Sequence, residues 1–187
     1  RFVPNRSILA ICGDLDPEAA IAMVERAFAG WKKIDVAPPS FPELKLSAKP
    51  VTKYVHMPAK NQLVVYWGHL GIRRNEPAYA KLLVLEHIMG QGAGLTDRLS
   101  KKIRDELGLC YTVSFSITGH DGTEPGMILA TLSTSQAIYH KAIGVLLAEI
   151  DKVRAKGITK AELADAQEYL TRSIVFNLED NDSLVGL

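Results

Sequence analysis

Several things are scarce in this chain of 187 residues, and each scarcity excludes something. There are two cysteines, Cys12 and Cys110, with no CxxC partner for either. That argues against a disulfide framework or a thiolate metal site and favours two small core residues. Excess charge is lacking too: 22 basic side chains face 21 acidic ones, a net charge of +1. Such a balance leaves no electrostatic footprint for nucleic acid or an anionic membrane. No apolar run approaches the roughly 18 residues that span a bilayer. The five histidines, at 56, 69, 87, 120 and 140, never fall four apart. Neither HExxH nor HxxEH occurs, so no helix offers zinc its usual pair of imidazoles. The nearest approach is Leu83-Val84-Leu85-Glu86-His87, which reads as the polar end of an apolar helix. No GxSxG elbow supports a serine nucleophile, and His120-Asp121 sits in a polar, glycine-flanked turn.

What is present is patterning. Ser7–Gly13 (SILAICG) is an apolar run suited to a buried strand. Asp16-Pro17 then caps a helix whose apolar positions run through Met23, Val24 and Phe28. Residues 35–50 hold four of the nine prolines and read as an extended connection. Strands are expected at Val51–His56 and Gln62–His69, with a turn at Pro58–Asn61 between them. The second is apolar on both faces, as for a central strand or one near an interface. A buried helix is expected over Glu76–Met89 and a charged one whose stripe is Leu95, Leu99, Ile103 and Leu107, ended by Gly108. Strands at Tyr111–Thr118 and Met127–Ser133 follow. The stripe Ile138, Ala142, Val145, Leu146, Ile150, Val153 makes another helix, and Thr159 with Glu162 forms a capping box for a last one reaching about Leu178.

Clustered helices between hairpin-like strand pairs imply an α+β fold, with a mostly antiparallel or mixed sheet and helices packed on one side. Residues 1–187 read as a single domain. The chain opens at RFVPNRSILAI without signal-peptide order. Both ends look cut, so a longer parent is expected and no compartment is assigned.

The most informative stretch is Gly90–Tyr111, GQGAGLTDRLSKKIRDELGLCY. The run Gly90-x-Gly92-x-Gly94 precedes a helix, but it lacks the GK[ST] ending of a P-loop and follows a helix rather than a strand. Nucleotide binding there is disfavoured. Arg104 and Tyr111 lie seven residues apart across a helix-to-strand corner. An arginine fork suits carbonyls, and a tyrosine hydroxyl can donate to an oxyanion. On spacing alone, a solvated charge and a half-buried ring are the commoner reading of such residues.

These residues resemble the second-domain signature of the insulinase/pitrilysin superfamily of zinc metallopeptidases, the inverzincins, including the processing peptidases. The resemblance rests on Ile88–Gly92, on Thr96-Asp97-Arg98-Leu99 and on Arg104-Asp105-Glu106-Leu107-Gly108-Leu109-Cys110-Tyr111-Thr112-Val113. Gly13-Asp14-Leu15-Asp16-Pro17 and Thr159-Lys160-Ala161-Glu162-Leu163 extend it over nearly the whole chain. Gln91, Asp97 and Cys110 depart from the family's commoner residues.

The resemblance implies a substrate-facing domain that closes over a zinc site carried by a homologous domain or subunit. Arg104 would hold substrate carbonyls and Tyr111 the scissile one. No metal ligand or cofactor is expected within this chain, and peptide is the implied substrate. The other expectation is a catalytically silent structural or peptide-binding subunit of the same fold.

Overall fold

In a computed structural model the described residues are 2–37, 40, 42, 61–92, 96–119, 122 and 124–186. They fall into two compact units, one drawn from 1–55 and 173–187, the other from 56–172.

In the first unit the helix α1 (Pro17–Phe28) starts where its cap dictates. Asp16 Oδ1 accepts from the amides of Glu18 at 2.8 Å and Ala19 at 3.0 Å, and Pro17 fills the first helical position. Asn5 bonds both backbone groups of Ile34, and Phe28 packs against Trp31 at 5.4 Å. The expected strand at Ser7–Gly13 does not form, and its Ile8, Leu9 and Ile11 are exposed. A strand is stable only when paired, and no described residue pairs with this run. The expected strand Val51–His56, the turn residues 58–60 and most of the proline-rich connection lie outside the described residues. Cys12 is exposed rather than a core residue, its Sγ lying 3.5 Å from Asn181 Oδ1. The 3₁₀ turn Ile174–Leu178 and the short helix α5 (Asn181–Val185) complete this unit.

The second unit holds the sheet: β1 (Gln62–Leu70), β2 (Thr112–Ser116) and β3 (Met127–Ser135), all antiparallel, in the order β1-β3-β2. Registers of Tyr66 with Thr131 and Ser114 with Thr131 put β3 at the centre. Among the described residues β1, apolar on both faces, pairs on one side only, with β3. Val65 and Trp67 pack inward while Val64 and Tyr66 are exposed on the opposite face. On the inner face lies the core, from Phe115, Ala130 and Leu132 of the sheet to Met89, Leu99, Ile103, Ala142 and Leu146 of the helices. The fold is α+β with an antiparallel sheet.

Helix α2 (Tyr79–Gly90) is buried only at its C-terminal end, at Ile88, Met89 and Gly90. The burial follows from a close approach. A Cβ on Gly90 would stand 2.6 Å from Phe115 Cβ and collide with the Phe115 amide nitrogen, so α2 meets β2 backbone to backbone. Helices α3 (Tyr139–Lys156) and α4 (Lys160–Ser173) follow as the sequence pattern implies. In the capping box, the Thr159 amide donates to Glu162 Oε2 at 2.8 Å and the Glu162 amide to Thr159 Oγ1 at 3.2 Å. The last helix tightens to 3₁₀ winding at Ile174 rather than continuing as α.

Candidate functional site

The helix carrying Arg104, Ser100–Glu106, winds as a π-helix rather than an α-helix. Leu99 and Ile103 are fully buried from its stripe, whereas Leu107 is partly exposed and Leu95 lies outside the described residues. Gly108 ends it with φ +59°, a left-handed turn that a side chain resists. The Gly108 amide donates to Arg104 O at 3.0 Å and the Leu109 amide to Ile103 O at 2.8 Å. These nested bonds are the Schellman kind made one residue wider, as π winding requires. The Tyr111 amide then donates to Ser133 O at 3.0 Å, which seats it beside β3.

The corner brings the two candidates together. The Arg104 guanidinium carbon lies 5.6 Å from the centroid of the Tyr111 ring, cation over π-face. Tyr111 is 72% exposed, so its hydroxyl is available to a ligand. Cys110, between them in sequence, packs against the core. Burial pushes its thiol pKa up, Arg104 opposes that and Asp105 adds to it. It stays a protonated thiol at neutral pH and no nucleophile.

The other motif residues are architectural. Glu86 Oε2 accepts from the amides of Ile117 and Thr118, both at 2.6 Å, and from the hydroxyls of Thr118 at 2.8 Å and Ser116 at 3.3 Å. It ties α2 to the end of β2. His87 stacks on Tyr169 at 4.6 Å, and burial lowers its pKa against the opposing pull of Asp97. Arg98 binds Glu162 with both ends of its fork, Nη2 to Oε2 at 2.6 Å and Nε to Oε1. Asp97, buried, caps the helical turn by accepting from the Ser100 amide at 2.8 Å. Gly92 is needed for space: a Cβ there would be 2.7 Å from the Asp97 nitrogen. Gly94, His120 and Asp121 lie outside the described residues.

Sequence reasoning missed Glu86 as a tie and the Arg98–Glu162 pair. It also missed Thr134, whose hydroxyl donates to Leu109 O at 2.7 Å. Its one sequence signal is a polar residue breaking the inward series Ile128, Ala130, Leu132.

Comparison with known proteins decides the family. The family model described as "Peptidase M16 inactive domain" matches residues 1–170. The chain belongs to the peptidase M16 inactive domain family. An uncharacterized zinc protease of Bacillus subtilis, YmxG, is 22% identical over 186 residues, covering 97% of this chain and 42% of that protein. A protein of Helicobacter pylori named as a non-peptidase homolog, YmxG, is 28% identical over 176 residues, 92% of this chain and 38% of that one. The crystal structure of a peptidase M16 inactive domain from Pseudomonas fluorescens superposes with a TM-score of 0.70 at 25% identity, over 93% of this chain and 40% of that one. The chain thus spans about two-fifths of the length of these relatives. Some relatives are named as zinc proteases; among the described residues of this chain no three of His, Cys, Asp or Glu converge as a metal site requires. Nor, among them, is any helix long and apolar enough to cross a membrane.

Proposed function

We propose that this M16 inactive domain is one domain of a longer zinc metalloendopeptidase and forms its substrate-facing half. It closes over a zinc site that another domain or subunit supplies. Arg104 holds backbone carbonyls of the peptide through its guanidinium fork. Tyr111 donates its hydroxyl to the scissile carbonyl oxygen as negative charge develops there. The observation that carries this reading is the exposed Tyr111 ring under the Arg104 guanidinium, 5.6 Å from its centroid. The cation orients the ring and favours charge on whatever its hydroxyl contacts.

The test is made in the assembled enzyme. Tyr111→Phe is expected to lower kcat by on the order of a hundredfold with KM little changed, because an oxyanion contact exists mainly in the transition state. Arg104→Ala is expected to raise KM. Wild-type turnover in the Phe variant would remove Tyr111 from the mechanism. The chain alone is expected to cleave nothing.

A second reading is a catalytically silent, peptide-binding subunit, favoured by the H. pylori relative's name as a non-peptidase homolog. It predicts that the assembled protein binds peptide with Arg104 but shows no turnover for Tyr111→Phe to reduce.

A further inference from the structure

We propose that Thr134 is a positioning residue for the Arg104–Tyr111 pair, fixing the corner through the peptide group of Leu109. This rests on the reading of that pair as the groups that meet the peptide. Thr134 occupies an inward position of β3, in line with Ala130 and Leu132, and is only 6% exposed. A hydroxyl there is unfavourable unless it is bonded, and its bond goes to Leu109 O at 2.7 Å. Leu109 is thereby held from both sides, since its amide already donates to Ile103 O.

The bonds then run continuously between the two functional residues. The Arg104 carbonyl takes the Gly108 amide, Leu109 is tied back to Ile103 and across to Thr134, and the Tyr111 amide is tied to Ser133. Adjacent β3 residues, 133 and 134, thus grip the corner on either side of Cys110. Removing the hydroxyl orphans a buried carbonyl two residues before Tyr111. The corner then relaxes, and the ring moves relative to the guanidinium. Small misplacements of a group that meets the transition state are expensive in rate.

Three variants in the assembled protein test this. Thr134→Val keeps the volume and removes the donor. It is expected to lower kcat about tenfold or more with KM within about twofold, while Thr134→Ser, which keeps the donor, restores most of the rate. Hydrogen exchange reads the positioning without activity: the Tyr111 amide is expected to exchange about tenfold faster in Thr134→Val, with the β1 amides unchanged. Wild-type exchange at Tyr111 in Thr134→Val overturns the proposal. So does wild-type kcat in that variant where Tyr111→Phe is impaired. Wild-type kcat in Tyr111→Phe itself would instead sink the catalytic reading, and exchange alone would then decide the role of Thr134. If the valine variant does not fold, the serine variant decides: kcat and exchange near wild type support the proposal, and a loss of either refutes it.

Discussion

Replacing Glu162 with glutamine removes the charge from the tie between Arg98 and the start of α4, and exchanges for an NH2 group one of the two oxygens that the Arg98 fork grips. Glutamine still accepts from the Thr159 amide, so the capping box survives. The Arg98 fork and the Thr159 bonds hold the Glu162 carboxyl at about 2, from an ordinary 4.5. That difference corresponds to about 3 kcal/mol at most. Arg98 and Glu162 side chains are 20% and 28% exposed, however, and solvent screens the pair. The contribution expected in practice is about 1–2 kcal/mol. Its sign follows from the depressed pKa. The stabilisation is full above about pH 4.5, where the unfolded chain's carboxyl is also ionised, and is lost as pH falls towards 2. Urea denaturation of wild type and Glu162→Gln at intervals from pH 7 to pH 2 measures it. Glutamine is expected to cost about 1–2 kcal/mol at pH 7, and the two curves are expected to converge near pH 2. Equal stability at pH 7, or a gap that persists at pH 2, would refute an ionic origin.

Other outcomes are expected from the same geometry. Gly90→Ala puts a methyl group against the Phe115 backbone, which has no cheap way to yield. It is expected to cost about 2–3 kcal/mol in thermal unfolding followed by circular dichroism. Two further glycines make a signed pair: Gly108→Ala at φ +59° is expected to destabilise by about 1 kcal/mol. Gly144→Ala, in open space within α3, is expected to stabilise by about 0.5–1 kcal/mol. Glu86→Ala leaves the Ile117 and Thr118 amides without their acceptor and is expected to cost about 2 kcal/mol. Glu86→Gln should recover part of that loss, read by the same denaturation curves.

Local chemistry made much of this legible. Asp16-Pro17, Gly108 and the Thr159–Glu162 box are signals whose partners lie within a few residues, and each element starts or stops where they say. The Arg104–Tyr111 pairing was legible for the same reason, because seven residues of corner bring the two side chains together. Pairing over distance was not. Whether SILAICG forms a ladder depends on a partner that its own pattern cannot name. The two apolar faces of β1 do not distinguish a covered centre from an exposed edge. The π winding was missed because a stripe repeating every four residues fits both windings. Glu86 and Thr134 were illegible as ties because their acceptors and donors lie 25 or more residues away.

At the corner, the amides of Gly108, Leu109 and Tyr111 are all spent on bonds within the chain. They are not free to cradle a ligand as the amides at a helix N-terminus would be. On the function proposed above, recognition falls to the side-chain tips of Arg104 and Tyr111, over a frame of backbone bonds and the Thr134 hydroxyl. On that same reading, changing the side chains of Arg104 and Tyr111 would erase the function and leave the corner's backbone hydrogen bonds intact, so the architecture can stand without the reaction.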